Sequence, residues 1–134
     1  MRLLPDANVL VYDTVEDSGH HLEAVKILDD AEELLMPPIV MHEFVWVLLK
    51  FSVNPDIVLT KVEEYLGDPR ARLIQESTDT FEHALKLLKE SNAAASNIND
   101  FLILSLAADF KVTLATFDSK LKALAKRRGV NAIP

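Results

Sequence analysis

Short apolar runs of strand character alternate with longer segments of helical periodicity along this chain, joined by brief polar connections. That alternation leaves few folds open. Parallel strands need crossover connections, usually helices, and the crossovers come to cover both faces of the sheet. The predicted class is α/β, a three-layer α/β/α sandwich with a central, mostly parallel sheet. With 134 residues, 49% of them hydrophobic, the chain can bury one core and is too short for two ordinary domains. Residues 1–134 are therefore read as a single domain.

The first apolar run, Arg2 to Tyr12, reads as a buried strand leading into a loop, with Asp6 at the strand's carboxyl end. Ala24, Ile27, Leu28 and Ala31 then recur at helical spacing. Leu34 to Met36 is a short strand candidate ended by Pro37-Pro38, and a proline suits the first turn of the helix expected from Pro38 to Phe51. That helix is apolar almost all round, which predicts burial and core packing for Phe44 and Trp46. Glu43 is its only acid. Asn54, Pro55 and Asp56 supply an N-cap, a first-turn proline and a dipole-matched acid for a helix reaching Gly67. Ala71 to Gln75 is a brief strand candidate. Asp79 with Glu82 makes a capping-box pattern ahead of a helix carrying Phe81, Ala84, Leu85 and Leu88 and ending near Ser91-Asn92. A small polar connection, Ala93 to Asn99, precedes Phe101 to Ala108, which is apolar at nearly every position with Asp100 at its head. Val112 to Phe117 reads as a buried strand, followed by Asp118, a basic helix to Arg128 and a last fragment, Val130 to Ile133.

Ligands of open α/β sheets bind outside the carboxyl ends of the strands. Asp6 and Asp118 follow strands, and Glu43 and Asp100 stand near the starts of the two most apolar helices, so all four can share one end of the sheet. Each has an ordinary explanation as well. Asp6 could close an Asx-turn, Asp118 could cap the last helix, and Asp100 could favour a helix N-terminus. Glu43 is harder to explain away, because a lone carboxylate in an apolar helix must lose its charge or find a partner. Four carboxylates gathered together raise one another's pKa values unless cations neutralise them, and oxygen-only ligation suits Mg²⁺ or Mn²⁺. Zinc fits poorly: His20, His21, His42 and His83 have no convincing spacing to the acids and are read as structural or surface residues.

A net charge of −7 argues against tight nucleic-acid binding through phosphate contacts alone. The charge is uneven, however. Lys120, Lys122, Lys126, Arg127 and Arg128 follow Asp118 with no acid among them. Such a strip could hold a polyanion, although cations near a helix C-terminus also complement its dipole. The absence of cysteine excludes disulfides and thiolate chemistry. No apolar run approaches the roughly 18 residues of a membrane span, and the expectation is a soluble, cytoplasmic protein with no membrane partner. Without a Gly-rich phosphate loop or a serine elbow, nucleotide-triphosphate hydrolysis and acyl transfer have no support.

Asp6-Ala7-Asn8-Val9-Leu10, Glu43 within Met41 to Leu48, Asn99-Asp100-Phe101-Leu102-Ile103 and Thr116-Phe117-Asp118, in that order, resemble the PIN-domain ribonucleases, particularly the VapC-type toxins. The resemblance spans essentially the whole chain. It implies a metal-dependent endoribonuclease that hydrolyses RNA phosphodiesters, with Asp6, Glu43, Asp100 and Asp118 as catalytic acids and ligands of Mg²⁺ or Mn²⁺. Asn8 and Thr116 become supporting polar residues, and Lys120, Lys126, Arg127 and Arg128 candidate contacts to RNA phosphates. It also implies a homodimer and a cognate antitoxin. The alternatives are a PIN-like domain that binds RNA or protein without cutting, and a housekeeping RNA-processing nuclease.

Two positions depart from the family pattern. Pro5 directly before Asp6 cannot donate to the sheet ladder, so β pairing is expected to weaken just before the site. Lys120 stands where many relatives carry a further acid, which implies one tightly held metal and a second arriving with RNA.

Overall fold

The computed structural model describes residues 1–91 and 98–134. Its strands are β1 (Arg2–Pro5), β2 (Glu33–Met36), β3 (Ala71–Leu73), β4 (Thr113–Ala115) and β5 (Ala132–Ile133). They form one sheet in the order β3-β2-β1-β4-β5, and every pairing is parallel. The helices are α1 (Ala7–Thr14), α2 (His21–Asp29), α3 (Pro38–Lys50), α4 (Pro55–Leu66), α5 (Thr78–Ser91), α6 (Ile98–Phe110) and α7 (Ser119–Arg127). This is the expected α/β class. The chain builds outward from β1 through β2 to β3, then returns to lay β4 against the other side of β1. The strand order therefore reverses between β1 and β4, which opens a crevice at their carboxyl ends.

Leu3, Leu4, Leu35, Met36, Leu114 and Ala115 are fully buried, so the central strands are apolar on both faces, as a parallel sheet between helices requires. α6 buries every residue from Phe101 to Ala107, and α3 buries Val40, Met41, Phe44 and Leu48. Asn54 accepts a hydrogen bond from Asp56 N–H at 2.8 Å, which confirms the cap expected for α4. Gly129, at φ +72°, lets the chain leave α7 and turn into β5, a conformation that a Cβ would penalise.

The structure corrects several expectations. The run after Asp6 is not strand or loop but α1. Its β-branched, apolar composition reads as strand, yet the Asp6 carboxylate accepts from Ala7 N–H at 2.8 Å, and Val9 and Leu10 are fully buried by packing with α2 and α3. Capping and tertiary burial outweigh the weak local propensity. Trp46 is 60% exposed whereas Phe44 is buried, because α3 turns only one face to the core despite being apolar nearly all round. In α5, Ser77 rather than Asp79 takes the capping role, its Oγ accepting from Thr80 N–H at 3.1 Å. The inward residues of α5 are Thr80, Ala84 and Leu87, leaving Phe81 and Leu85 largely exposed. The connection expected from Ala93 to Asn99 lies mostly outside the described residues, as does Asn92, where α5 was expected to end.

Pro5 weakens the sheet on one side only. Asp6 N–H donates to Ala115 O at 2.8 Å, so the ladder with β4 continues to the site. Backbone donors of successive strand residues face opposite neighbours, so the donor missing at Pro5 would have faced β2. There the register ends at Leu3 opposite Leu34.

Candidate active site at the carboxyl ends of β1 and β4

β1 ends at Pro5 and β4 at Ala115, so Asp6 and Thr116 leave the sheet side by side at the point where the strand order reverses. Asp6 Oδ2 accepts from Thr116 Oγ1 at 2.9 Å and from Asn8 Nδ2 at 3.2 Å, while Oδ1 caps α1. Asn8 Nδ2 also donates to Thr116 Oγ1 at 3.2 Å, and Asn8 Oδ1 accepts from Phe117 N–H at 3.2 Å. Thr116 Oγ1 in turn accepts from Asp118 N–H at 3.1 Å. Asn8 and Thr116 thus tie together the two loops carrying Asp6 and Asp118. Asp118 caps α7 through Oδ1, which accepts from Lys120 N–H at 2.8 Å and Leu121 N–H at 3.3 Å. The cap foreseen for Asp118 is therefore real, whereas Asp6 caps α1 instead of closing an Asx-turn. Both caps coexist with a shared cavity.

Asp6, Asn8, Glu43, Asp100 and Asp118 all line one cavity of about 280 Å³. The four acids come from the ends of β1 and β4, from α3 and from the first turn of α6. Burial pushes the Asp6 carboxyl up, against the opposing pull of its Thr116 and Ala7 hydrogen bonds, and the charge of Asp118 adds to the rise. Glu43 is raised by partial burial and by the charges of Asp6 and Asp100. Asp100 is pushed up to about 6, first by burial and then by Asp6 and Asp118. The four carboxylates feel one another. A cation would relieve that repulsion, and an oxygen-only donor set fits a hard divalent ion. Among the described residues, no three acidic or histidine side chains form a ready-made coordination cage. The fit is accordingly to an ion that keeps several waters and takes few direct carboxylate ligands.

The basic residues do not gather at this cavity. Lys120 sits in the first turn of α7 beside Asp118, but Lys126, Arg127 and Arg128 lie at the helix's other end, roughly 13 Å away at 1.5 Å per residue. Arg128 lines a separate cavity with Lys111 and Thr113, at the amino end of β4.

Sequence reasoning missed the aromatic rim of the site. Tyr12, four residues after Asn8 on α1, lines the acidic cavity, and its ring packs with those of His20 and Phe117. His42 lies with Trp46 along a neighbouring cavity of about 540 Å³ that Glu43 also borders. His21 Nδ1 is 2.8 Å from Tyr12 O, and His83 is exposed. No local sequence signal links residues 12, 20 and 117.

An acidic pocket at the switch point of a small parallel sheet, assembled from four separate elements, marks a site-bearing α/β domain. The chain matches the family model for the PIN domain over residues 3–127 and belongs to that family. It is 24% identical over 123 residues to Ribonuclease VapC37 of Mycobacterium tuberculosis, with 85% of each chain covered. Its fold is similar to that of VapC20 of M. tuberculosis, described as a sarcin-ricin loop cleaving toxin, with a TM-score of 0.80 at 13% identity over 91% of this chain and 94% of that one. It is also similar to VapBC2 of Rickettsia felis bound to a promoter DNA fragment, with a TM-score of 0.72 at 21% identity over 98% and 97% of the two chains.

Proposed function

We infer that the protein is an endoribonuclease, the toxin of a toxin–antitoxin pair, that hydrolyses RNA phosphodiesters at the cavity lined by Asp6, Glu43, Asp100 and Asp118. The observation that carries this reading is the convergence of those four acids, each coupled by charge to at least one other, at the switch point of a PIN-family sheet.

Asp6 and Asp100 would be the principal ligands for Mg²⁺ or Mn²⁺, and Asp118 would serve a second ion. When bound, the metal lowers the pKa of a coordinated water and offsets charge on the phosphate. Glu43 would complete the ligand shell or orient the attacking water. Thr116 and Asn8 hold the Asp6 carboxylate in one orientation, so it need not reorganise when substrate arrives. A new P–O bond to the attacking water forms as the bond to the leaving ribose oxygen breaks. A small antitoxin and a second copy of the chain are the proposed protein partners. Exposed Trp46, Leu49 and Phe51 offer apolar surface for such contacts, and sedimentation with and without the candidate antitoxin tests both.

The test of activity is cleavage of a mixed structured and single-stranded RNA pool with Mg²⁺, Mn²⁺ or EDTA, comparing the parent with Asp6→Asn and Asp100→Asn. Metal-dependent cutting lost in both folded variants supports the reading. Equal cutting by all three indicates contamination. Metal-sensitive RNA binding without any cutting would replace the nuclease with a binding domain.

A further inference from the structure

The acidic cavity is poorly suited to hold RNA by charge. No lysine or arginine is among the described residues that line it, and three of the cations following Asp118 sit at the far end of α7. With protein cations absent from that lining, contacts to the bases gain weight in positioning the strand. The rim beside Asp118 offers such a contact.

Phe117 lies between Thr116, which bonds Asp6, and Asp118, which borders the cavity, and its backbone N–H is anchored on Asn8. Its ring meets Tyr12 edge-on, with centroids 5.2 Å apart and planes at 79°. His20 is exposed, yet its ring lies 4.7 Å from Phe117 at 35° and 4.8 Å from Tyr12 at 46°. An exposed ring packed against two others, one lining the acid site and one a neighbour of a site acid, presents a ring face for stacking at the edge of the site. Aromatic side chains bind single-stranded nucleic acid by stacking, because every base has a π-face.

We propose that Tyr12, His20 and Phe117 form a stacking platform for one unpaired base of the RNA, next to the scissile phosphate. The proposal rests on the ribonuclease reading above and names how that site takes hold of its substrate. A base seated on the rim places its own phosphate over the Asp6–Asp118 side of the cavity. Stacking then adds a base contact to the hold on the phosphate, and restricts cleavage to single-stranded positions.

The experiment first maps a cut made by the parent protein in a short single-stranded RNA. That RNA is then prepared with 2-aminopurine at each position in turn and bound to the Asp100→Asn protein, with metal present. Quenching confined to a position flanking the mapped cut is expected. Adding His20→Ala or Tyr12→Leu should abolish it and weaken binding by about 5-fold to 150-fold, the range expected for loss of one base–aromatic stack. Tyr12→Phe, which keeps the ring, should retain both. His20 is exposed, so its variant keeps the core intact should Tyr12→Leu fail to fold. If the parent cuts RNA but quenching and affinity are unchanged in His20→Ala and Tyr12→Leu, the platform is wrong and the nuclease stands. If the parent cuts no RNA at all, the ribonuclease reading fails and the platform with it.

Discussion

Thr116 Oγ1 donates to Asp6 Oδ2 across 2.9 Å, joining two residues 110 positions apart at the ends of adjacent strands. The bond helps hold the Asp6 pKa down against burial. Thr116→Val keeps the side-chain volume and removes the donor, so the Asp6 pKa should climb further. Support groups of this kind are worth roughly 10- to 100-fold in metal affinity or activity. The expected outcome is a loss in that range, with the acid limb of the pH–activity profile moved to higher pH, and Thr116→Ser retaining the parent limb. An unmoved limb in Thr116→Val would disprove the assignment.

Asp100 offers a test in stability rather than activity. Its folded pKa of about 6 lies above the ordinary carboxylate value, so the folded state takes up a proton more readily than the unfolded chain. Ionised Asp100 therefore destabilises the metal-free protein above pH 6, and the penalty fades as the pH falls through 6 towards the unfolded value. Asp100→Asn should raise the melting temperature at pH 7.5 and by less at pH 5. The difference corresponds to on the order of 1 kcal/mol once solvent screening of this half-buried group is allowed for. Mn²⁺ should stabilise the parent more at pH 7.5 than at pH 5.

The cations of α7 separate by position. Lys120 adjoins Asp118, while Lys126, Arg127 and Arg128 end the helix roughly 13 Å away. Lys120→Glu should flatten the salt dependence of RNA binding by about one unit of slope. Charge reversal at the other three should leave the slope near that of the parent. A large flattening from the triple variant would instead extend the RNA track along α7.

Tyr65 joins α4 to α1. Its hydroxyl donates to Asp13 Oδ2 at 2.6 Å and lies 3.1 Å from Leu10 O, and its ring meets Phe44 edge-on. Burial and the Asp13 carboxylate raise its pKa far beyond the usual phenol value, so it stays a donor throughout the working range. Tyr65→Phe should cost about 1–3 kcal/mol, because hydrogen bonds to charged groups are the stronger ones. Denaturant unfolding measures it.

Much of the architecture is legible in local pattern. The parallel sheet follows from short apolar runs at regular spacing, and α6 from its unbroken apolar stretch headed by Asp100. The α4 cap is readable in Asn54-Pro55-Asp56, because capping depends on neighbours within a few residues. Asp6, Glu43, Asp100 and Asp118 could be singled out because a carboxylate in or beside an apolar segment demands an explanation.

What local pattern could not decide was everything settled by a partner distant in sequence. Ala7 to Thr14 has the composition of a strand and becomes a helix because Asp6 caps it and α2 and α3 bury its apolar side. Trp46 and Phe44 lie two residues apart in one apolar helix, yet only Phe44 meets the core. The raised pKa of Asp100 arises from Asp6 and Asp118 as well as from burial, and the Tyr12, His20 and Phe117 rings meet across more than a hundred residues. Residue type determined which groups could carry charge, cap a helix or leave water. Only the closing of the sheet between β1 and β4 decided which of them share a cavity, since Coulomb repulsion, desolvation and ring stacking act over distances in space that sequence separation does not encode.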